Sequence, residues 1–259
     1  MICYPLLGKN GEFGNQLFQI AATLSHAKDN NTNALFPAWN YMNLFKTKLN
    51  LNFNQADVKN KYSEKNLYYN SIPNLPDLAL YGYFQSEKYF KHNSEHIKHH
   101  FTFLDDLETH VKTKYTFLSN DDTVGVHLRT YSRGAIDPRH VHADVLENVA
   151  YLKQSFNYYG KNKRFVVCSD NIAKAEQILG GNLNLTFIKS GDLINDFIVL
   201  KNCRNHINSA SSFSWWASWL NNNKDKKITV PQKWFNVTPE QDSWYNSKDI
   251  VPEDWIKLG

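Results

Sequence analysis

A histidine and an arginine stand two apart in GVHLRTYSRG, as His127 and Arg129, directly after a short apolar run. If that run is a strand, alternation sends both side chains to the same side. An arginine at a strand end is a planar, permanently charged fork that grips a phosphate through two parallel hydrogen bonds. A structural carboxylate is the competing partner for Arg129; Arg133 and Arg139 follow in the same loop and strengthen the anion-binding reading. A second candidate is SDN at 169–171, between an apolar run and a helical stretch. Ser169 or Asp170 there suits a helix cap; alternatively, Asp170 or Asn171 meets a nucleoside, since a carboxylate accepts paired donors from a guanine or ribose edge. The third is SASSFSWWASWL at 209–220, four serines ahead of three of the chain's seven tryptophans. Phe213, Trp216, Ala217 and Leu220 fall at i, i+3, i+4 and i+7 and predict a buried stripe. Trp215 and Trp219 form a second indole face one turn apart. Ser211 or Ser212 caps the helix, and the amides at its start are where an anion such as a diphosphate binds.

These groups need a scaffold that brings loop ends together. From residue 123 onward, short apolar runs alternate with helical stretches: TVGVHL (123–128), a helix over 142–159, RFVVCS (164–169), a helix over 171–179, LTFIKS (185–190), a helix over 192–203, HINSA (206–210), the tryptophan-rich helix and KITVP (227–231). That alternation predicts a parallel sheet covered by helices. Ligands of such sheets bind beyond the carboxyl ends of the strands, and the loops there, HLRTYSRGAIDPRH, SDN, SGD and SASSFS, are the polar ones. The first half opens with an apolar run at Ile2–Leu7, a turn GKNGEFGNQ, and a helix with Leu17, Ile20, Ala21 and Leu24 on one stripe. Residues 30–82 read as short elements and loops; LYGYFQSEKYF (80–90) reads as the start of a helix running towards His99.

At 259 residues, with 42% apolar and 21% charged residues, the chain is long enough for one large α/β domain or two domains of roughly 120 residues each, and has a globular composition. A net charge of +4 with scattered basic residues argues against a nucleic-acid partner and tolerates an anionic small ligand. Three irregularly spaced cysteines fit no disulfide framework and favour a reducing compartment. No basic leader with an apolar run and no apolar stretch long enough to span a bilayer is visible, so membrane insertion is not expected and a cytoplasmic location is. The glycines at 11 and 14 have the wrong spacing for a dinucleotide fingerprint and lack the Lys-Ser/Thr of a P-loop. HExxH, G-x-S-x-G, DxD and metal-ligand Cys/His spacings are absent, so no metal is expected.

Taken in order, GEFGNQLFQIAA, GYFQSEKYF, VGVHLR, FVVCSDN and NDFIVLKNCRNHINSASSFSWWASWLN followed by ITVPQKWF resemble the α-1,2-fucosyltransferases of glycosyltransferase family 11, from residue 11 to about 235. The resemblance implies an α/β chain of GT-B type, two Rossmann-like domains facing a cleft: an acceptor-side domain at 1–119 and a nucleotide-sugar domain at 120–259. It implies GDP-fucose as donor substrate, no cofactor or metal, a galactose-type glycan acceptor attacked through its 2-hydroxyl, and inversion at the sugar carbon. By residue, His127 and Arg129 take the family's H-x-R positions, with Arg129 on the donor diphosphate; Asp170 takes the place of the acid near guanine; Ser211, Ser212 and Phe213 line the diphosphate and sugar; Asn15 and Gln16 stand in the N-terminal motif. Where the family has a second Arg, Gly and Asp, this chain has Thr130, Tyr131 and Ser132, and Arg133 or Arg139 is expected to supply the missing charge. Related fucosyltransferases of other linkage carry a carboxylate eight residues after the first Arg; here that is Asp137, the expected general base, with Asp144 next. The altered loop leaves two alternatives open: a transferase with another sugar-nucleotide donor, or a nucleotide- or glycan-binding homologue impaired in catalysis.

Overall fold

The structure is a computed structural model and describes residues 1–130, 145–180 and 183–259. The chain forms two compact units, Met1–Leu104 with Thr238–Pro252, and Asp105–Val237 with Glu253–Gly259.

The first unit is built on a four-stranded parallel sheet of order β2-β1-β4-β3, with β1 at Ile2–Cys3, β2 at Ala34–Leu35, β3 at Asn60–Ser63 and β4 at Leu78–Tyr81. Helix α1 (Phe13–Asp29) connects β1 to β2 and buries Leu17, Ile20, Ala21 and Leu24, the stripe read from the sequence. It buries Gln16, Gln19, Thr23 and Ser25 as well, so its amphipathic pattern understates how much of it is covered. Its entry is set by Gly11, at φ 76°, where a Cβ would overlap the Asn15 side chain. Between β2 and β3 the backbone is irregular, and rings fill the space: Trp39 lies parallel to Phe45 at 5.7 Å, and Phe45 meets Phe103 at 4.8 Å. The segment 238–252 belongs to this unit because Leu67 N–H donates to the Trp244 carbonyl (3.1 Å) and Lys88 pairs with Asp249 (2.7 Å).

The stretch 80–90 is not a helix start. Leu80 and Tyr81 complete β4, Gly82 follows at φ 152° and Phe84 at φ 54°, and α2 begins only at Ser94 (Ser94–His100). The cause is non-local. Glu64, just past β3, accepts the backbone N–H groups of Tyr83 (2.6 Å) and Phe84 (2.9 Å), replacing the bonds a helix would have made. A Cβ at residue 82 would overlap the Glu64 side chain, so only glycine admits the carboxylate at this distance.

The second unit carries a six-stranded, all-parallel sheet of order β10-β9-β8-β5-β6-β7. Its strands are β5 (Thr123–Leu128), β6 (Arg164–Ser169), β7 (Leu185–Phe187), β8 (Asn205–Ile207), β9 (Ile228–Pro231) and β10 (Ile256–Leu258). Its helices are α3 (Asp105–Lys114), α4 (Val145–Tyr159), α5 (Ile172–Leu179), α6 (Leu193–Asn202) and α7 (Ser212–Trp219). The central strand β5 is buried along its whole length, which is why it reads as an unbroken apolar run rather than an alternating one. Val124, Val126 and Leu128 on it pack with Tyr151, Leu152, Phe156, Phe165 and Val167 in one core. Helix α6 lies so close to β5 that a Cβ at Gly125 would come within 3.1 Å of Cys203 Cβ.

The units do not divide at 119/120. Helix α3 belongs with the second unit, because Glu108 is ion-paired to Lys201 of α6 and accepts from Asn202 Nδ2 at 3.1 Å. A polar connection is hard to assign to either side of a boundary by composition alone, and these contacts span more than ninety residues of chain.

Candidate functional site

The strands of the second unit run parallel, so the loops after β5, β6 and β8 leave the sheet at one edge. His127 is in register with Cys168, and Leu128 with Ser169, which sets Arg129 and Asp170 beside each other just beyond the last paired residues. Arg129 Nη1 lies 3.3 Å from Asp170 Oδ2. The other carboxylate oxygen, Oδ1, accepts from the backbone N–H of Thr130 at 2.7 Å and from its hydroxyl at 3.0 Å. Arg129 therefore has the carboxylate partner that the competing reading proposed, while a third of its side-chain surface stays open to solvent. Asp170 has three neighbouring donors, on Arg129 and Thr130, and is mostly covered.

On the other flank, Ser209 after β8 stitches the loop to β5. Its hydroxyl donates to the His127 carbonyl at 2.5 Å and accepts from the Arg129 N–H at 3.0 Å. Two residues on, Ser211 caps α7, its Oγ accepting from Phe213 N–H at 3.4 Å, and Ser212 is the first helical residue. Arg129, Asp170 and the start of α7 are thus brought together by one serine hydroxyl and two strand registers. At the start of α5, the cap is Asn171 rather than Ser169 or Asp170: its Oδ1 accepts from Lys174 N–H at 3.0 Å. Ser169 Oγ accepts from the Asn171 N–H instead. Capping by Asn171 leaves Asp170 available to Thr130 and Arg129.

His127 is buried, its ring 5.3 Å from that of Phe213, which in turn meets Phe197 at 5.2 Å. Burial, reinforced by the neighbouring Arg129 charge, pushes its pKa down to about 3, so the imidazole is neutral at pH 7. Phe213 is only half-buried and does not share the full burial of Trp216, Ala217 and Leu220. Trp215 and Trp219 are buried as well, stacked 6.1 Å apart, so α7 is covered on nearly every side beyond its first turn. Arg133, Asp137, Arg139 and Asp144, with Tyr131 and Ser132, lie outside the described residues.

Asn15 and Gln16 belong to the first unit, where two stretches distant in sequence meet. Asn15 Oδ1 accepts from Gln85 Nε2 at 2.7 Å, and the Tyr4 hydroxyl donates to the Gly82 carbonyl at 2.6 Å. GEFGNQ and GYFQ are therefore two walls of one turn cluster. Gln16 is internally engaged: its Nε2 donates to the Gly11 carbonyl at 2.8 Å, and its Oε1 accepts from Trp39 Nε1 at 2.7 Å. Beside it lies a cavity of about 520 Å³ bordered by the 7–12 turn and residues 38–41.

Three functional candidates escaped the sequence reading. Ser209 and Thr130 act through partners at least forty residues away. Asp196, in the first turn of α6, is a half-buried carboxyl whose Oδ1 accepts from Ser190 Oγ at 2.5 Å. Burial raises its pKa to about 6, against the hydrogen bond from Ser190, with the nearby Asp192 charge adding to the rise. No group of three His, Cys, Asp or Glu suited to a metal ion occurs among the described residues, and none of their helices is long and apolar enough to cross a membrane.

The family model for glycosyl transferase family 11 matches residues 7–258. Among curated proteins, the chain is 29% identical over 188 residues to an α-1,2-colitosyltransferase of Escherichia coli, covering 68% of this chain and 61% of that protein. It is 28% identical over 234 residues to galactoside α-(1,2)-fucosyltransferase 1 of Pan troglodytes, covering 82% and 63% respectively. The chain thus spans about three fifths of the length of the curated relatives it matches. Among solved structures, the fucosyltransferase NodZ from Bradyrhizobium superposes with a TM-score of 0.55 at 11% identity, covering 83% of this chain and 91% of that one. NodZ, an α-1,6-fucosyltransferase, has also been co-crystallized with GDP. The two parallel-sheet units are those of an α/β, GT-B type chain. With the matched region running almost from end to end, the chain belongs to glycosyl transferase family 11.

Proposed function

We propose that the protein transfers L-fucose from GDP-fucose to the 2-hydroxyl of a galactose-type acceptor, with inversion at the sugar carbon. The observation that carries this is the convergence, in a family-11 chain, of Arg129, the Asp170 carboxylate that orients it and the start of α7 at one sheet edge. In this reading Arg129 and the amides of α7, with Ser211 and Ser212, hold the diphosphate. Neutral His127 and the half-buried Phe213 ring form the apolar wall behind it, and Asn171 and Asp170 border the nucleoside. The acceptor oxygen attacks the anomeric carbon as the bond to the β-phosphate oxygen breaks; GDP leaves with that electron pair, and the acceptor proton passes to a carboxylate. Asp137 is the residue we assign as that base, with Arg133 as the second diphosphate cation. Electrostatic stabilisation of the departing diphosphate by Arg129 is worth on the order of 2–4 kcal/mol in such a step.

The similarity to a colitosyltransferase favours one further reading, in which the donor is another GDP-linked deoxy sugar. A panel of GDP-sugars and other sugar nucleotides, offered with a lactose-type acceptor, separates the two. Fucosyl transfer is the expected result; turnover of a different donor alone would replace the donor assignment. Asp137→Asn is expected to keep GDP affinity while transfer falls by at least ~100-fold.

A further inference from the structure

The strands of the first sheet run parallel, so the segments that follow β1, β3 and β4 leave it at one edge, the edge where ligands of such sheets bind. Glu64, the residue after β3, ties the other two segments together. Its N–H donates to the Tyr81 carbonyl at 2.7 Å, continuing the β3–β4 pairing. Its carboxylate grips the backbone beyond β4, Oε2 accepting from the Tyr83 N–H at 2.6 Å and Oε1 from the Phe84 N–H at 2.9 Å. In this grip Phe84 takes φ 54°, a left-handed conformation that a bulky aromatic residue adopts only where its surroundings impose it. Two contacts then reach the turn after β1. The Gly82 carbonyl accepts from the Tyr4 hydroxyl, which accepts in turn from Asn10 Nδ2 at 3.1 Å, and Gln85 Nε2 donates to Asn15 Oδ1 at 2.7 Å. Gln85 and Asn15 are partly exposed, whereas Glu64, at the inner end of this chain of contacts, is 6% exposed.

Packing alone does not call for a carboxylate here, because burying a charge is costly. Two N–H groups aimed at two different oxygens do call for one: in a carboxamide, one of those oxygens becomes an NH2 facing another donor. The ionisable side chains that face Glu64 are the phenols of Tyr4, Tyr62 and Tyr89, each raised by burial and therefore neutral at pH 7. Lys88 and Lys91, in the turn that follows, are paired with Asp249 and Glu87, and Lys61 and Lys65, on either side in sequence, are exposed. Burial pushes Glu64 up to about 7, so its charge changes close to neutral pH. Hydrogen bonds to an ionised acceptor are roughly twice as strong as those to a neutral one. We propose that Glu64 is a positioning residue: its ionised carboxylate fixes the GYFQ segment, and through Gln85 and Asn15 the GEFGNQ turn, in the geometry used in turnover. It acts through the two turns rather than on a substrate. The effect on turnover rests on the reading of the chain as a GDP-sugar transferase; the effect on the turns does not.

The test uses the full chain, with GDP-fucose and lactose for turnover and the amide resonances of isotope-labelled protein for the turns. In the wild type, kcat rises as the pH passes through about 7, and the backbone amides of Tyr83 and Phe84 and the side-chain amide of Gln85 shift with the same midpoint. Glu64→Gln removes that titration, and the ratio of wild-type to variant kcat is about tenfold at about pH 8.5 and near one at about pH 5.5. A general base with its own acid limb affects both proteins alike and cancels in the ratio. Glu64→Asp, which restores two acceptor oxygens, regains the titration. Gln85→Ala, at a partly exposed position, gives the same pH-dependent ratio and adds nothing to Glu64→Gln in the double variant; where Glu64→Gln does not fold, a wild-type profile in Gln85→Ala overturns the proposal. Transfer with a wild-type to Glu64→Gln ratio that stays constant across this pH range also overturns it and leaves the proposed activity standing. If no GDP-sugar is turned over while the turn resonances still titrate through Glu64, the proposed activity falls and the positioning of the turns stands; resonances that do not respond overturn the positioning as well.

Discussion

At the residue scale, Arg129 is paired with a carboxylate and partly exposed. Its neighbour Asp170 fixes one edge of the guanidinium at 3.3 Å, yet a third of the side chain remains exposed. Pairing of this kind pre-orients an anion clamp. Arg129→Lys keeps the charge but loses the planar fork, so GDP affinity is expected to fall by roughly tenfold, and by about 100-fold in Arg129→Ala; equal affinity across the three proteins in calorimetry would remove Arg129 from donor binding. Asp170→Asn should weaken GDP less than Arg129→Ala does, because it releases the clamp without deleting it. His127 and His206 make a separate prediction. Burial lowers both to about 3, so the folded state holds them neutral while the unfolded chain protonates them near 6.5. Their contribution to stability is present above pH 6.5 and is lost as the pH falls towards 3. Denaturant titrations at intervals from about pH 8 to 4 should therefore show a steeper acid loss in the wild type than in His206→Gln; parallel curves contradict the assignment.

At the element scale, the strands and helices of the second unit were legible in the sequence because a buried parallel sheet writes itself as apolar runs between helical stretches. The loops that carry the site were legible only as polar strand ends. Which groups meet there depends on register between strands far apart in sequence, as with Arg129 and Ser209 or Thr130 and Asp170. The failure at 80–90 has the same origin: a carboxylate from another strand end captured two amides and turned a helix-like stretch into a loop. Burial raises the Glu64 pKa to about 7, against the two N–H bonds it accepts. This folded value lies above the ordinary glutamate value of 4.5, so the stabilisation is full below pH 4.5 and is lost as the pH rises through 7. Glu64→Gln should abolish that component of the pH dependence, as read by denaturant midpoints for unfolding of the first unit; a midpoint that keeps the wild-type slope between those pH values rules it out. In α7, Trp216 is fully buried and meets Trp215 and Trp219 edge-on. Trp216→Ala should cost about 3–5 kcal/mol through the cavity it leaves, with calorimetric unfolding as the measure, while Ser212→Ala on the same helix should barely change stability and act on GDP affinity.

At the scale of the whole molecule, two parallel-sheet units carry distinct equipment. The second holds a cation, its orienting carboxylate and a helix start; the first holds a turn cluster beside a cavity. Length left one or two domains open, and the boundary was not legible, since the chain re-enters the first unit at 238–252 through contacts with residues 67–88. Saturating GDP, at about 100 times its wild-type Kd, should stabilise the unit that binds it by ~2.7 kcal/mol, and at the same GDP concentration the effect should fall to about 0.4 kcal/mol in Arg129→Ala. The most direct test is transfer itself: purified protein, GDP-fucose and a lactose-type acceptor, with the product linkage assigned by NMR. The expected product carries fucose α-linked to the 2-hydroxyl of galactose, formed with loss of GDP and dependent on Arg129. Absence of that product while another sugar nucleotide is turned over, or its formation at an undiminished rate by Arg129→Ala, would contradict the proposed site and reaction.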